Sequence, residues 1–232
     1  MRLVLLPGMD GGASLSSAFR ASLPEFIESE VVTYPSDQAL GYDELERIVR
    51  AYLAGVSEPY ILLAESFSGP LAIRIAANPP DRLMAIVLAA TFHSSPVARW
   101  LRLLARSWLF RLPLSGWVIG RYLLGAQCSS ESIEQVRDAV RAVDPKVMAM
   151  RARAILDVDV RTLLPTIALP VLNIVARGDL LVPPLVTYAV RDLRNELLDG
   201  PHFILHARPV EAARLVAEFA GEIDRLAGFG AV

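Results

Sequence analysis

Three side chains of complementary chemistry, a hydroxyl, an imidazole and a carboxylate, each stand in this chain where an apolar strand gives way to a loop. The hydroxyl is Ser66, in the run Tyr60-Ile61-Leu62-Leu63-Ala64-Glu65-Ser66-Phe67-Ser68-Gly69-Pro70-Leu71-Ala72. The apolar strand stops at the serine and the chain continues as a helix through small residues, the pattern of a nucleophile elbow. At the apex of such a turn the backbone is strained and the hydroxyl projects above the C-terminal edge of a sheet. Helix and strand approach closely there, which explains the small side chains at Ala64, Ser68 and Gly69. The segment alone also fits an ordinary strand-to-helix loop, so the rest of the chain decides.

The carboxylate is Asp179, in Val175-Ala176-Arg177-Gly178-Asp179-Leu180, leaving the C-terminal end of another apolar strand. The imidazole is His202, in Leu198-Asp199-Gly200-Pro201-His202-Phe203, just before the last helix. In an open parallel sheet all three loops lie on the edge where ligands bind. Their chain order, Ser, Asp, His, belongs to one sheet topology. A serine hydroxyl is a poor nucleophile until an imidazole accepts its proton, and a carboxylate sets the imidazole tautomer and stabilises its cation. Read separately, Asp179 is also a turn residue beside Gly178 and His202 a loop histidine satisfied by backbone groups; the joint pattern is far more specific. Asp157 and Asp159 are reserve acids but precede the fifth strand, on the unsuitable side. His206 reads as structural, and His93 stands at the entrance to the segment after the fourth strand.

Acyl chemistry also needs donors for an oxyanion, and backbone N–H groups suit because they are fixed before charge develops. One expected donor is the amide of Phe67, directly after the serine at a helix N-terminus. The second is the amide of Met9, in the glycine-rich loop Pro7-Gly8-Met9-Asp10-Gly11-Gly12 that follows the first strand. A phosphate loop is excluded there, because no Gly-Lys-Ser/Thr follows.

Positioning these groups requires a parallel sheet with helical crossovers, and the chain alternates accordingly. Strands are expected near 2–6, 31–34, 60–64, 84–90 and 171–176, with a weaker one near 196–198. The helix over 42–54 places Leu45, Ile48, Val49, Tyr52 and Leu53 on one face, and the last helix, near 209–220, does so with Ala212, Leu215, Val216 and Phe219. About eighty residues between the fourth and fifth strands are helical in pattern, far more than a crossover needs. They predict a cap over 92–165 inserted in a core formed by 1–91 and 166–232, with cap helices starting after Ser129-Ser130 and Asp144-Pro145. The first part of the cap, Ala98 to Leu124, mixes Arg99, Arg102, Arg106, Arg111 and Arg121 with Trp100, Trp108 and Trp117 and has no acidic residue. That composition fits a solvated arginine face over a buried helix, or a surface for an acidic partner or lipid.

A chain of 232 residues, 53% of them apolar, fits one domain with a large core. A net charge of -2 gives no global electrostatic reason to expect nucleic acid or a membrane surface as partner. The single cysteine, Cys128, excludes an intramolecular disulfide and a zinc-type cysteine cluster. Residues 1–8 lack a secretory apolar region, and the apolar stretch 107–125 is broken by Arg111, Pro113 and Arg121, so a cytoplasmic protein with no stable membrane insertion is expected.

On Leu5–Gly12, Leu62–Ala72, Leu172–Pro183 and Gly200–Phe203, the chain resembles the α/β-hydrolase-fold serine hydrolases. It departs from them at Pro7-Gly8, where His-Gly is common, and at Ala64 and Ser68, where the elbow usually carries glycine. The chain opens on what corresponds to the family's third strand, so the resemblance implies a reduced sheet of about six parallel strands, the first two strands absent, with the Val31–Thr33 strand at an edge. Pro201-His202-Phe203-Ile204-Leu205 and the helical cap are similar to bacterial carboxylesterases, including the pimeloyl-carrier-protein methyl ester esterases. The resemblance implies cleavage of carboxylic esters or thioesters through an acyl-enzyme on Ser66, with His202 as base then acid, Asp179 as its orienter and the Met9 and Phe67 amides holding the oxyanion. This chemistry calls for no cofactor and no metal. A serine at the elbow argues against dehalogenase and epoxide hydrolase chemistry, which use aspartate in the resembling families. The expected partner is a small acyl ester, with an acidic acyl carrier admitted by the basic cap. Acyl transfer or carbon–carbon bond hydrolysis on the same residues, and a ligand-binding protein without turnover, are the rival readings.

Overall fold

A computed structural model describes residues 1–96, 107–112, 115–125, 128–183, 188–226 and 228. Short branched-apolar runs form six strands among these: β1 Arg2–Leu6, β2 Glu28–Val31, β3 Tyr60–Glu65, β4 Leu83–Ala89, β5 Val171–Ala176 and β6 Leu193–Leu198. Every pair is parallel and the spatial order is β2-β1-β3-β4-β5-β6. Both sheet faces are covered, so β1, β3 and β4 read as continuous apolar runs rather than as alternation. On one face Val4, Leu6, Leu62, Ala64, Ile86 and Leu88 meet helices α2 (Tyr42–Ala54) and α3 (Gly69–Ala77). On the other, Leu3, Leu5, Ile61, Leu63, Ala85 and Val87 meet α1 (Ser17–Ala21) and α8 (Pro209–Leu226), the latter after a short α7 (Ile204–Ala207).

The two outer strands differ from expectation. The expected strand at 31–34 is β2 at Glu28–Val31, in register with β1 from Arg2↔Glu28 to Leu5↔Val31, and it does lie at a sheet edge. Glu28, Ser29 and Glu30 are polar because this edge faces solvent, and Glu28 and Glu30 lie 3.3 Å from the Arg2 guanidinium. Val32 and Tyr34 continue beyond the strand, their N–H groups donating to Leu5 and Gly11 carbonyls at 3.0 and 2.9 Å. β6 begins three residues before the expected 196, through Arg194-Asn195, for the same reason: it is the opposite edge. The last helix runs six residues past 220, to Leu226.

Between β4 and β5 the described residues include α4 (Gly116–Val118) passing into a π-helix over Ile119–Leu124, then α5 (Ser130–Arg141) and α6 (Pro145–Asp157). The side chains of Ser129 and Asp144 cap α5 and α6 by accepting from Ser132 N–H at 3.1 Å and Lys146 N–H at 2.7 Å, as the two start signals imply. Entry and exit of this segment are joined, since Ser95 N–H donates to Val158 O at 3.1 Å and Val160 N–H to His93 O at 2.8 Å. Arg99, Trp100, Arg102 and Arg106 lie outside the described residues; Arg111, Arg121, Trp108 and Trp117 are exposed. No helix among the described residues is long and apolar enough to cross a membrane.

Candidate active site

β1, β3, β4, β5 and β6 all end at the same sheet edge, and parallel pairing brings their following loops side by side. Ser66 follows β3 and has φ 49°, in the left-handed region that a β-carbon disfavours. Its Oγ lies 2.7 Å from His202 Nε2, and His202 Nδ1 lies 2.7 Å from Asp179 Oδ2. All three side chains are buried. The other carboxylate oxygen, Asp179 Oδ1, accepts from Leu181 N–H at 2.8 Å and Val182 N–H at 2.9 Å, which orients the acid. With Nδ1–H donating to Asp179, the lone pair of Nε2 faces the serine hydroxyl. The histidine and aspartate loops are locked together by the 2.9 Å bond from Gly178 N–H to Gly200 O, and a β-carbon on Gly178 would stand 2.9 Å from that same oxygen. The residue after the histidine reaches across to the β4–β5 segment, Phe203 N–H donating to Leu123 O at 2.9 Å.

The elbow is held by hydroxyls that the sequence pattern did not single out. Thr91 Oγ1 donates to Ser66 O, and Tyr188 holds Thr91 through a 3.0 Å bond to its carbonyl. A peptide group is planar, so fixing Ser66 O also fixes the direction of Phe67 N–H, the expected oxyanion donor. Tyr42 Oη donates to Phe67 O at 2.7 Å and its ring stacks on the Phe67 ring at 4.9 Å. Gly69 has to be glycine, because a β-carbon there would lie 2.7 Å from Thr91 Cβ. Ser68, where the resembling family usually has glycine, has a use for its hydroxyl: it donates to Pro7 O while accepting from Tyr34 Oη at 2.6 Å. That chain docks the Met9 loop against the elbow.

Within the loop, Gly11 N–H donates to Gly8 O at 3.0 Å, closing a turn whose central residues are Met9 and Asp10. Gly11, with φ 72°, takes a conformation that glycine alone adopts freely. The bond to Gly8 O fixes the peptide that carries Met9 N–H. Asp10 accepts from Gly12 N–H at 2.9 Å, and burial raises its pKa against the lowering effect of these amides and of Arg151. Glu65, the last residue of β3, is buried too. Loss of solvation first, and Asp10 second, push its pKa up to about 8, although the N–H of Leu205 donates to it.

Of the reserve acids, Asp157 is exposed at the end of α6. Asp159 pairs with Arg161 at 2.6 Å, His206 Nδ1 stands 3.3 Å from Leu15 O, and His93 sits edge-on to Tyr188 with ring centroids 5.3 Å apart.

Strand order, elbow and loop placement together define an α/β-hydrolase fold, and solved structures align with the chain over nearly its whole length. The enol-lactonase from Burkholderia xenovorans LB400 matches with a TM-score of 0.83 and 18% identity, over 95% of this chain and 91% of that one. A thermophilic esterase from Thermogutta terrifontis matches at 0.82 and 17%, over 96% and 90%, and MenH from S. aureus at 0.76 and 17%, over 97% and 94%. No protein-family model and no curated protein matches the chain.

Proposed function

We propose that the chain is a serine hydrolase of carboxylic esters. The observation that carries this reading is the buried line from Asp179 through His202 to Ser66, two bonds of 2.7 Å ending on a hydroxyl in strained backbone. As Ser66 Oγ attacks an acyl carbonyl, its proton passes to His202 Nε2, and Asp179 stabilises the imidazolium. The tetrahedral oxyanion takes the N–H groups of Met9 and Phe67. His202 then gives its proton to the leaving alkoxide, the alcohol departs, and an acyl-enzyme ester remains on Ser66. Water, activated by the same imidazole, attacks that ester and releases the acid. The esterase and lactonase among the similar structures are consistent with acyl chemistry of this kind.

The β4–β5 segment is proposed to serve as the cap that shapes the acyl site. Arg111 and Arg121, exposed beside Trp108 and Trp117, are proposed to favour substrates with an acidic group, up to an acidic acyl carrier. A fluorophosphonate probe tests the central reading. Labelling of the wild type, absent in Ser66→Ala and His202→Ala, together with turnover of p-nitrophenyl esters, supports it; a wild type that neither labels nor hydrolyses any ester or thioester overturns it.

A further inference from the structure

Arg151 is the largest fully buried side chain among the described residues, 1% exposed, and it belongs to α6, outside the sheet. Burying a guanidinium is costly unless its donors are satisfied and its charge is balanced. Here two of the three nitrogens have specific partners, and buried Nε has none among the described residues. Nη1 donates to Met9 O at 2.8 Å and Nη2 to Pro35 O at 2.9 Å; the guanidinium carbon stands 5.7 Å from the centre of the Tyr34 ring; and Asp10 attracts the charge.

The target of the first bond matters. Met9 O belongs to the Met9–Asp10 peptide, the central one of the Gly8–Gly11 turn. The two commonest β-turn types differ by rotation of that central peptide, so a donor on its carbonyl selects one of them, while the Gly8–Met9 peptide keeps its direction within the turn. The Met9 side chain packs on the cluster formed by Val143, Val147 and Met148, the last two also on α6. Met9 is therefore held on its N-terminal side by the turn's own hydrogen bond, and at its carbonyl and side chain by α6. A residue needed only to attach α6 to the core would not have to place one arm of its fork on this peptide and the other on Pro35 O.

We propose that Arg151 is a positioning residue for the oxyanion hole: the turn's own bond sets the Met9 N–H within the turn, and Arg151, through Met9 O and Pro35 O, seats the turn as a unit so that the placement of this N–H at the site depends on α6. This inference rests on the ester-hydrolase reading above. The test compares wild type with Arg151→Ala and Arg151→Lys on a neutral p-nitrophenyl ester, with rates normalised to sites titrated by a fluorophosphonate. Misaiming one oxyanion donor approaches the loss seen when such a donor is removed, so kcat per titrated site is expected to fall about 100-fold in the alanine variant, with KM within about threefold. Lysine, a point charge without the fork, gives an intermediate loss, and millimolar methylguanidinium restores part of the alanine variant's kcat. A boronic acid that mimics the tetrahedral species weakens in parallel with kcat, whereas the product acid does not. An unchanged kcat per site overturns the proposal, as does a loss accounted for by fewer titratable sites or carried by KM. A wild type that neither labels nor turns over removes the parent reading instead, and this one with it.

Discussion

Replacing Glu65 by glutamine is expected to stabilise the protein, increasingly so as pH rises. The carboxyl group is buried at the end of β3, close to Asp10, and its pKa stands near 8 against an ordinary 4.5. Below the ordinary value both folded and unfolded chains hold the proton, and the group contributes nothing to the pH dependence. Between 4.5 and about 8 the folded chain keeps a proton that the unfolded chain has released, so stability falls as pH rises. Above about 8 both states are ionised and the accumulated cost stays constant. With about 1.4 kcal/mol per pH unit at full slope, the loss between pH 5 and 8 amounts to roughly 3 kcal/mol, a large part of a typical domain's stability. Glutamine keeps an oxygen to accept from Leu205 N–H and cannot titrate. Urea unfolding of both proteins at pH 5, 6, 7 and 8 measures the difference, with m unchanged. The variant should lead by little at pH 5 and by about 3 kcal/mol at pH 8. Parallel stability profiles over that range, or a wild type gaining on the variant as pH rises, would refute the burial argument.

Asp179→Asn leaves the 2.7 Å geometry at His202 intact in outline but favours the wrong imidazole tautomer, and kcat for ester turnover should drop about 10⁴-fold with KM little changed; a loss below tenfold would remove Asp179 from the mechanism. Gly69→Ala drives a β-carbon into Thr91 and should cost about 1–3 kcal/mol in urea unfolding, while slowing probe labelling of Ser66 as Thr91 lets go of the Ser66 carbonyl. A wild-type midpoint in that variant would contradict the packing described here. The double change Arg111→Gln and Arg121→Gln should lower kcat/KM several-fold for a succinate half-ester, more at low salt, and leave a neutral ester of equal length unaffected; equal effects on both would discard the charge argument.

The inner fold was legible because β1, β3 and β4 are apolar on both faces and β5 nearly so, Asn173 apart, and because α2 and α8 repeat their buried positions at helical spacing. Ser66, Asp179 and His202 could be picked out for a related reason: each stands within a few residues of the C-terminal end of a strand, beside glycine, proline or small residues, so its place on one sheet edge follows from topology. The edge strands were less legible. Glu28-Ser29-Glu30 and Arg194-Asn195 pair through backbone while their side chains face water, and a search for apolar runs passes over them. The supports of the site were invisible for a different reason. Thr91, Tyr42 and Arg151 all grip backbone carbonyls, which carry no residue signature, and Arg151 does so from 142 residues away. One signal was present: Arg151 follows Val147 by one helical turn, placing a cation on the apolar face of α6.

The bond from Phe203 N–H to Leu123 O has a bearing on engineering. Helical lids of hydrolases invite transplantation as a route to new substrate preference. In this protein the backbone of the β4–β5 segment props the loop that carries the imidazole, so a graft that ignores Leu123 exchanges that segment and loosens the His202 loop at the same stroke. A chimaera that retains this carbonyl as a socket keeps the machinery aligned while the lining around it is rewritten.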